Sequence, residues 1–167
     1  MVAPLTNLLR KEVKFVWCSD CERAFNQVKA LLSSTPVLRA PNFDQPFSLM
    51  VDASDAGAGA VLAQSDEVGV NKPVSFFSKK FSKSQRNYST VEKETLALIL
   101  ALEHFDVYVS GTKITVFTDH NPLTFLSKMK NKNQRLTRWS LLLQEYNLDI
   151  RHVSGKDNIV ADALSRV

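Results

Sequence analysis

Three short runs between Phe47 and Lys79 constrain the architecture of this chain more than any other feature. Phe47-Ser48-Leu49-Met50-Val51-Asp52 reads as a strand, Asp55-Ala56-Gly57 as a turn and Ala58 to Gln64 as a second strand. So short a connection makes the pair an antiparallel hairpin. Ser65 to Lys72 is a polar loop, and Pro73 to Lys79 a third strand, with Pro73 at its start where a missing N–H is tolerated. The periodicity then changes. Ser89-Thr90-Val91-Glu92 is a capping box that opens a long helix reaching about Val109, with Gly111 just beyond. A fourth strand spans Ile114 to Asp119, a helix Gln134 to Glu145, a fifth strand Leu148 to Val153 and a terminal helix Val160 to Ser165. An antiparallel run followed by strand–helix alternation predicts an α/β fold, a mixed sheet with helices packed on its faces.

Residues 1–44 have a different texture and form a helical lead-in, leaving 45–167 as the main domain. Ser19-Asp20-Cys21-Glu22 fits a capping box with Ser19 as N-cap and Glu22 three residues on. Ala24, Phe25, Val28, Leu31 and Leu32 follow at helical spacing, Thr35-Pro36 stops the helix, and Pro41 to Pro46 is a loop.

At 167 residues, 44% hydrophobic and 23% charged, the chain has the composition of a globular domain able to bury a core. A net charge of +4 and a pI near 9.1 permit a polyanionic partner. The N-terminus lacks the basic and apolar regions of an export signal. The apolar stretch Leu96 to Leu102 falls far short of the roughly 20 residues that span a bilayer. Cys18 and Cys21 form a lone C-x-x-C with no second Cys/His pair at zinc-finger spacing. The expectation is two semi-buried thiols at a helix start, free of disulfides, in an intracellular and cytoplasmic setting, with the nucleus as the alternative.

Four carboxylates stand at element ends: Asp52 closing an apolar strand, Glu94 early in the long helix, Asp119 at another strand end and Asp162 in the terminal helix. A charge at such a place must find a counterion or stay wet. Glu94 is preferred to Glu92 by phase, because Glu94, Ala97, Leu98, Ala101 and Phe105 share one helical face, whereas Glu92 serves the cap. Asp162 is preferred to Asp157, which lies in the loop after Ser154-Gly155-Lys156. Phosphodiester hydrolysis needs an activated water and a stabilised leaving oxygen, which two divalent ions about 4 Å apart supply. Hard Mg²⁺ selects carboxylate oxygens from several elements.

At these residues the chain resembles the ribonuclease H domain of Ty3/gypsy-type retrotransposon reverse transcriptases. The matching strings are Val51-Asp52-Ala53-Ser54, Tyr88 to Ala97 (YSTVEKETLA), Phe117 to Leu123 (FTDHNPL) and Ala161 to Arg166 (ADALSR). The lead-in is similar to the family's connection segment at Phe15-Val16-Trp17, Cys21, Ala24-Phe25, Pro36-Val37-Leu38 and Pro41. The resemblance implies a ribonuclease H-like fold, a five-stranded mixed sheet flanked by helices, and hydrolysis of the RNA strand of RNA–DNA hybrids with two Mg²⁺ or Mn²⁺ ions. It makes Asp52, Glu94, Asp119 and Asp162 the catalytic metal ligands and implies an adjoining polymerase domain. Many ribonucleases H also use a histidine before the last acid. His152 and His120 are the two candidates here, each against the reading of a structural or solvent-facing imidazole. No Tyr-x-Asp-Asp polymerase motif is present.

Lys128, Lys130, Lys132, Arg135 and Arg138 fall in a stretch without acids, and Lys79, Lys80, Lys83 and Arg86 form a second basic group. Cations on a nucleic-acid face give salt-dependent, sequence-independent affinity. Ser89 and Thr90 are candidates for reading 2′-hydroxyls in the minor groove. Trp139 is expected in the core, since Leu136, Leu142 and Leu143 share its helix face. Two other readings stay open: a silent or domesticated module that supports a polymerase or binds nucleic acid, and another nuclease or integrase of the same fold.

Overall fold

A computed structural model describes residues 3–9, 11–33, 38–119 and 134–166 of the chain. Two compact units divide it, Met1–Val37 and Leu38–Val167. In the first, α1 (Ala3–Asn7) packs on α2 (Ser19–Ser33), with Cys21 and Ala24 buried. The capping box expected at Ser19–Glu22 is not the one formed. Glu22 N–H bonds to the Cys18 carbonyl at 3.0 Å, so the helix starts one residue early and Cys18 takes the cap position. The Glu22 carboxylate instead accepts from the Trp17 indole N–H at 2.6 Å and the Asn26 amide at 3.0 Å. Phe25, expected on the packed stripe, is exposed and meets Trp17 edge-on.

The second unit holds five strands: β1 (Phe47–Ala53), β2 (Gly57–Ser65), β3 (Asn71–Lys80), β4 (Lys113–Thr118) and β5 (Asn147–His152). Their order is β3-β2-β1-β4-β5. The β1/β2 and β2/β3 pairs are antiparallel, while β1/β4 and β4/β5 are parallel, which is the expected mixed sheet. The parallel β1/β4 pair brings two strand ends to the same edge of the sheet, and both ends carry an acid. Pro73 lies two residues inside β3 rather than at its start. It is tolerated because β3 is an edge strand with a register shift opposite Leu62/Ala63. Residues 38–45 attach to this sheet through Arg39 N–H to the Pro73 carbonyl (2.7 Å) and through buried Gln64. The Gln64 amide accepts from Asn42 N–H and donates to the Asn42 and Gln45 carbonyls.

A short helix, α3 (Lys83–Arg86), was not expected; its signal was the Ser82/Gln85 capping box. The long helix α4 (Thr90–Val109) has the expected Ser89/Glu92 box and is followed by Gly111 at φ +73°, a value that favours glycine. One face of α4 buries Leu98, Ala101, Leu102 and Phe105 in a core shared with Leu49, Val51, Ala60 and Leu62. In α5 (Gln134–Gln144), Leu136, Trp139 and Leu143 join that core as expected, but Leu142 is exposed at the edge of the stripe.

The last helix, α6 (Ile159–Ser165), covers the opposite face, against β1, β2 and β3. Side chains alternate along a strand. Val51 and its partner Ala60 therefore point toward α4, whereas Asp52 and its partner Gly59 point toward α6. No helix among the described residues is long and apolar enough to cross a membrane.

Candidate metal centre

β1 and β4 run parallel, so Asp52 near the end of the first and Asp119 just past the end of the second lie side by side. Glu94, in the first turns of α4, faces them from above the sheet. Ligand oxygens of Asp52, Glu94 and Asp119 all lie within 4.8 Å of one another. Asp52 and Glu94 are buried, at 8% and 5% exposure, and Asp119 is half-buried. Glu94 is thus on the inward face of α4, as its helical phase requires.

The three acids line a pocket of about 580 Å³ that also contains Asp162, Asp55, Lys93, Lys156 and Arg166. Asp162 lines this pocket without joining the three-acid cluster. Its Oδ1 accepts from Arg166 Nε at 2.9 Å and Nη2 at 2.6 Å. Lys93, only 8% exposed, is held by Asp55 at 2.6 Å.

Burial raises the Asp52 carboxyl above the usual range; a hydrogen bond from Ser165 opposes this, and neighbouring Asp162 and Asp119 add to it. Glu94 is pushed up to about 8, first by burial and then by the charges of Asp119 and Asp52, with the Ala53 N–H pulling the other way. Glu94 Oε2 is buried without a hydrogen-bond partner. An oxygen in that condition is costly unless it is protonated or meets a cation. All the donors in the cluster are carboxylate oxygens, the set that hard divalent ions prefer. The residues therefore fit a divalent metal.

The folded-state pKa of Glu94 is above its ordinary 4.5, so the folded chain holds that proton where the unfolded chain releases it. The contribution of Glu94 to the stability of the metal-free protein is therefore full below about pH 4.5 and is lost as pH rises toward 8. Urea unfolding at pH 5 and pH 8 is expected to differ by about 2–4 kcal/mol, since each pKa unit is worth ~1.4 kcal/mol. Glu94→Gln should flatten most of that difference.

Ser165 escaped the sequence reading. Fully buried on α6, its hydroxyl lies 2.8 Å from Asp52 Oδ2 and 2.8 Å from the Asp162 carbonyl, and its own carbonyl accepts from Ser54 Oγ at 2.5 Å. Asn158 anchors the start of the same helix by donating a hydrogen bond from its side-chain amide to the Val51 carbonyl at 2.8 Å. Ser165 follows Asp162 by three residues, a spacing that places both on neighbouring helix positions and was the available signal.

Among the described residues, the other expected groups do not join the three-acid cluster. His152 is in β5, opposite Thr118, exposed and outside the pocket lining. His120, Lys128, Lys130 and Lys132 lie outside the described residues. Arg135 is ion-paired with Glu92 and stacked over Tyr88, its guanidinium 4.0 Å from the ring centre, and is half-buried rather than presented to solvent. Arg138 is exposed. The Ser89 hydroxyl is occupied by Glu92 in the cap, whereas Thr90 is exposed and lines the pocket.

A family model of the RNase H-like domain found in reverse transcriptase matches residues 42–146. The chain belongs to this family. The chain aligns at 43% identity over 163 residues with the retrovirus-related Pol polyprotein from transposon 412 of Drosophila melanogaster, covering 98% of this chain and 13% of that polyprotein. With the transposon Tf2-3 polyprotein of Schizosaccharomyces pombe the identity is 40% over 168 residues, again 98% of this chain and 13% of the relative. Both are Ty3/gypsy-type elements. The chain thus spans about an eighth of the length of these curated relatives. Among solved structures, the foamy viral protease-reverse transcriptase in complex with RNA/DNA hybrid superposes with a TM-score of 0.64 at 18% identity, over 92% of this chain and 22% of that one. That likeness supports the RNase H-like fold. Asp162 and Ser165 lie beyond the stretch matched by the family model.

Proposed function

We propose that this RNase H-like domain hydrolyses the RNA strand of RNA–DNA hybrids, as a divalent-metal-dependent endonuclease within a retroelement polyprotein that also carries a polymerase. The observation that carries the reading is the convergence of Asp52, Glu94 and Asp119 around the unpartnered Glu94 Oε2. These three would hold Mg²⁺ or Mn²⁺, with Asp162 contributing once Arg166 lets go of its carboxylate. Bound there, divalent ions supply a water of lowered pKa and neutralise charge on the scissile phosphate.

The chain's own groups complete the site. Ser165 fixes the Asp52 carboxylate by donating to one of its oxygens. Lys93 and Asp55 tie the start of α4 to the β1–β2 turn, so the elements carrying Glu94 and Asp52 keep their spacing. Lys156 and Arg166 place positive charge in the pocket wall, where a phosphate backbone would pass. Thr90 offers a hydroxyl at the pocket for minor-groove contact. The foamy viral complex supports a hybrid as the ligand of this fold.

The test uses the purified chain with Mg²⁺, a labelled RNA–DNA hybrid and a DNA duplex of the same sequence. Cleavage is expected in the RNA strand only, and chelation should stop it. Binding of the hybrid without cleavage at any Mg²⁺ or Mn²⁺ concentration would support the silent-module reading instead.

A further inference from the structure

The Cys18/Cys21 pair plays no part in the chemistry proposed above, and its geometry is asymmetric. Cys18 occupies the cap position of α2, a helix of 15 residues, and its side chain is exposed. Cys21 sits one turn further in and is buried. The two sulfurs are 3.5 Å apart and both thiols are free. We propose that Cys18 and Cys21 form a thiol–disulfide exchange site, in which Cys18 attacks a small-molecule disulfide and Cys21 resolves the product to an intramolecular disulfide.

Three observations support the division of labour. Only Cys18 is open to a reagent in solution, because Cys21 is 2% exposed. The Cys18 thiol is held below the usual thiol range, first by the backbone N–H of Cys21 and then by its side chain. A thiol at a helix start gains thiolate character in this way, and the thiolate is the nucleophile. Finally, a sulfur already 3.5 Å away needs little movement to close the bond, whereas two cysteines on diverging backbones could not be joined.

The exchange balances with oxidised glutathione as the oxidant. The Cys18 thiolate attacks one glutathione sulfur, breaking the glutathione S–S bond and releasing one glutathione thiolate. The Cys21 thiol gives its proton to solvent and its sulfur attacks Cys18, displacing the second glutathione thiolate. Two protein thiols are oxidised and one small disulfide is reduced to two thiols. Closing the bond also consumes the Cys21 S–H that reaches the Pro4 carbonyl at 3.7 Å, a contact between the α1 and α2 helices. In a reducing compartment such pairs are transient or redox-sensing.

The experiment uses the full chain and oxidised glutathione, with acid quenching and peptide mass analysis. Wild type is expected to yield the Cys18–Cys21 disulfide, Cys21→Ser to accumulate a glutathione adduct on Cys18, and Cys18→Ser to react at least about ten-fold more slowly than Cys21→Ser. In 8 M urea, a denaturing level, the two single variants should react within about two-fold of each other. Alkylation of unsubstituted chain by iodoacetamide, with each peptide quantified, reports the same Cys18 preference without any substitution. Equal reactivity of the two cysteines in the folded chain, or a wild type that stops at the mixed disulfide, would overturn the proposal.

Discussion

Asp52→Asn is expected to lower hybrid cleavage by about 10³-fold or more, roughly 4 kcal/mol of transition-state stabilisation, while leaving the metal-free fold intact. The asparagine amide keeps the shape of the side chain and can still accept from Ser165, so the α6 anchor persists. What disappears is one charge from a cluster whose oxygens lie within 4.8 Å of one another. The metal-free protein should even gain stability near pH 8, because a buried carboxylate that resists ionisation is replaced by a neutral group. Initial rates on the labelled hybrid and urea unfolding on the same preparation check both halves. Near-wild-type cleavage by the variant would remove Asp52 from the reaction. Lost cleavage accompanied by lost stability would mean that the residue holds the fold rather than the metal.

Gly59→Ala is expected to damage the protein from a position that bears no chemistry. Gly59 faces Asp52 across the β1/β2 ladder, and the backbone of α6 lies directly on it. A methyl group there would overlap the Ala161 carbonyl oxygen and the Ser165 amide nitrogen, and would sit 2.7 Å from the Leu164 carbonyl carbon. These are backbone atoms, which cannot rotate away as a side-chain tip can. The helix must lift, at a cost of about 2–4 kcal/mol for overpacking in a fully buried contact. Lifting α6 moves Ser165 off Asp52 and Asp162 out of the pocket wall, so cleavage should fall with stability. Thermal unfolding together with hybrid cleavage measures it. A variant with unchanged midpoint and unchanged rate would show that α6 need not seat on β2.

Particular residues show how far the sequence reading reached. The Ser89/Glu92 capping box and the apolar phase behind it located α4 and turned Glu94 inward, because helix caps and periodicity are local properties. Similar local logic failed at Glu22, where the Trp17 indole, five residues back, took the carboxylate that the capping box needed. It also failed to separate the cations: Arg135 and Arg138 look alike in sequence, yet Glu92 and Tyr88 engage the first while the second faces solvent. His152 illustrates the same limit: spacing from Asp162 brought it into consideration, and in the fold it stands on β5 opposite Thr118, outside the pocket lining.

The sequence by itself determined the order of the five strands and of every described helix but α1 and α3, the membership of the RNase H-like family and the four candidate acids. These follow from periodicity, capping and motif, each read within a few neighbouring residues. Only the tertiary structure decided which acids meet. The parallel β1/β4 pairing joins Asp52 to Asp119, the packing of α4 adds Glu94, and Arg166 keeps Asp162 ion-paired at the pocket wall. It also brought in Ser165, 113 residues from the carboxylate it holds. Convergence of that kind depends on sheet register and on the seating of α6 over Gly59, long-range contacts that no local pattern encodes.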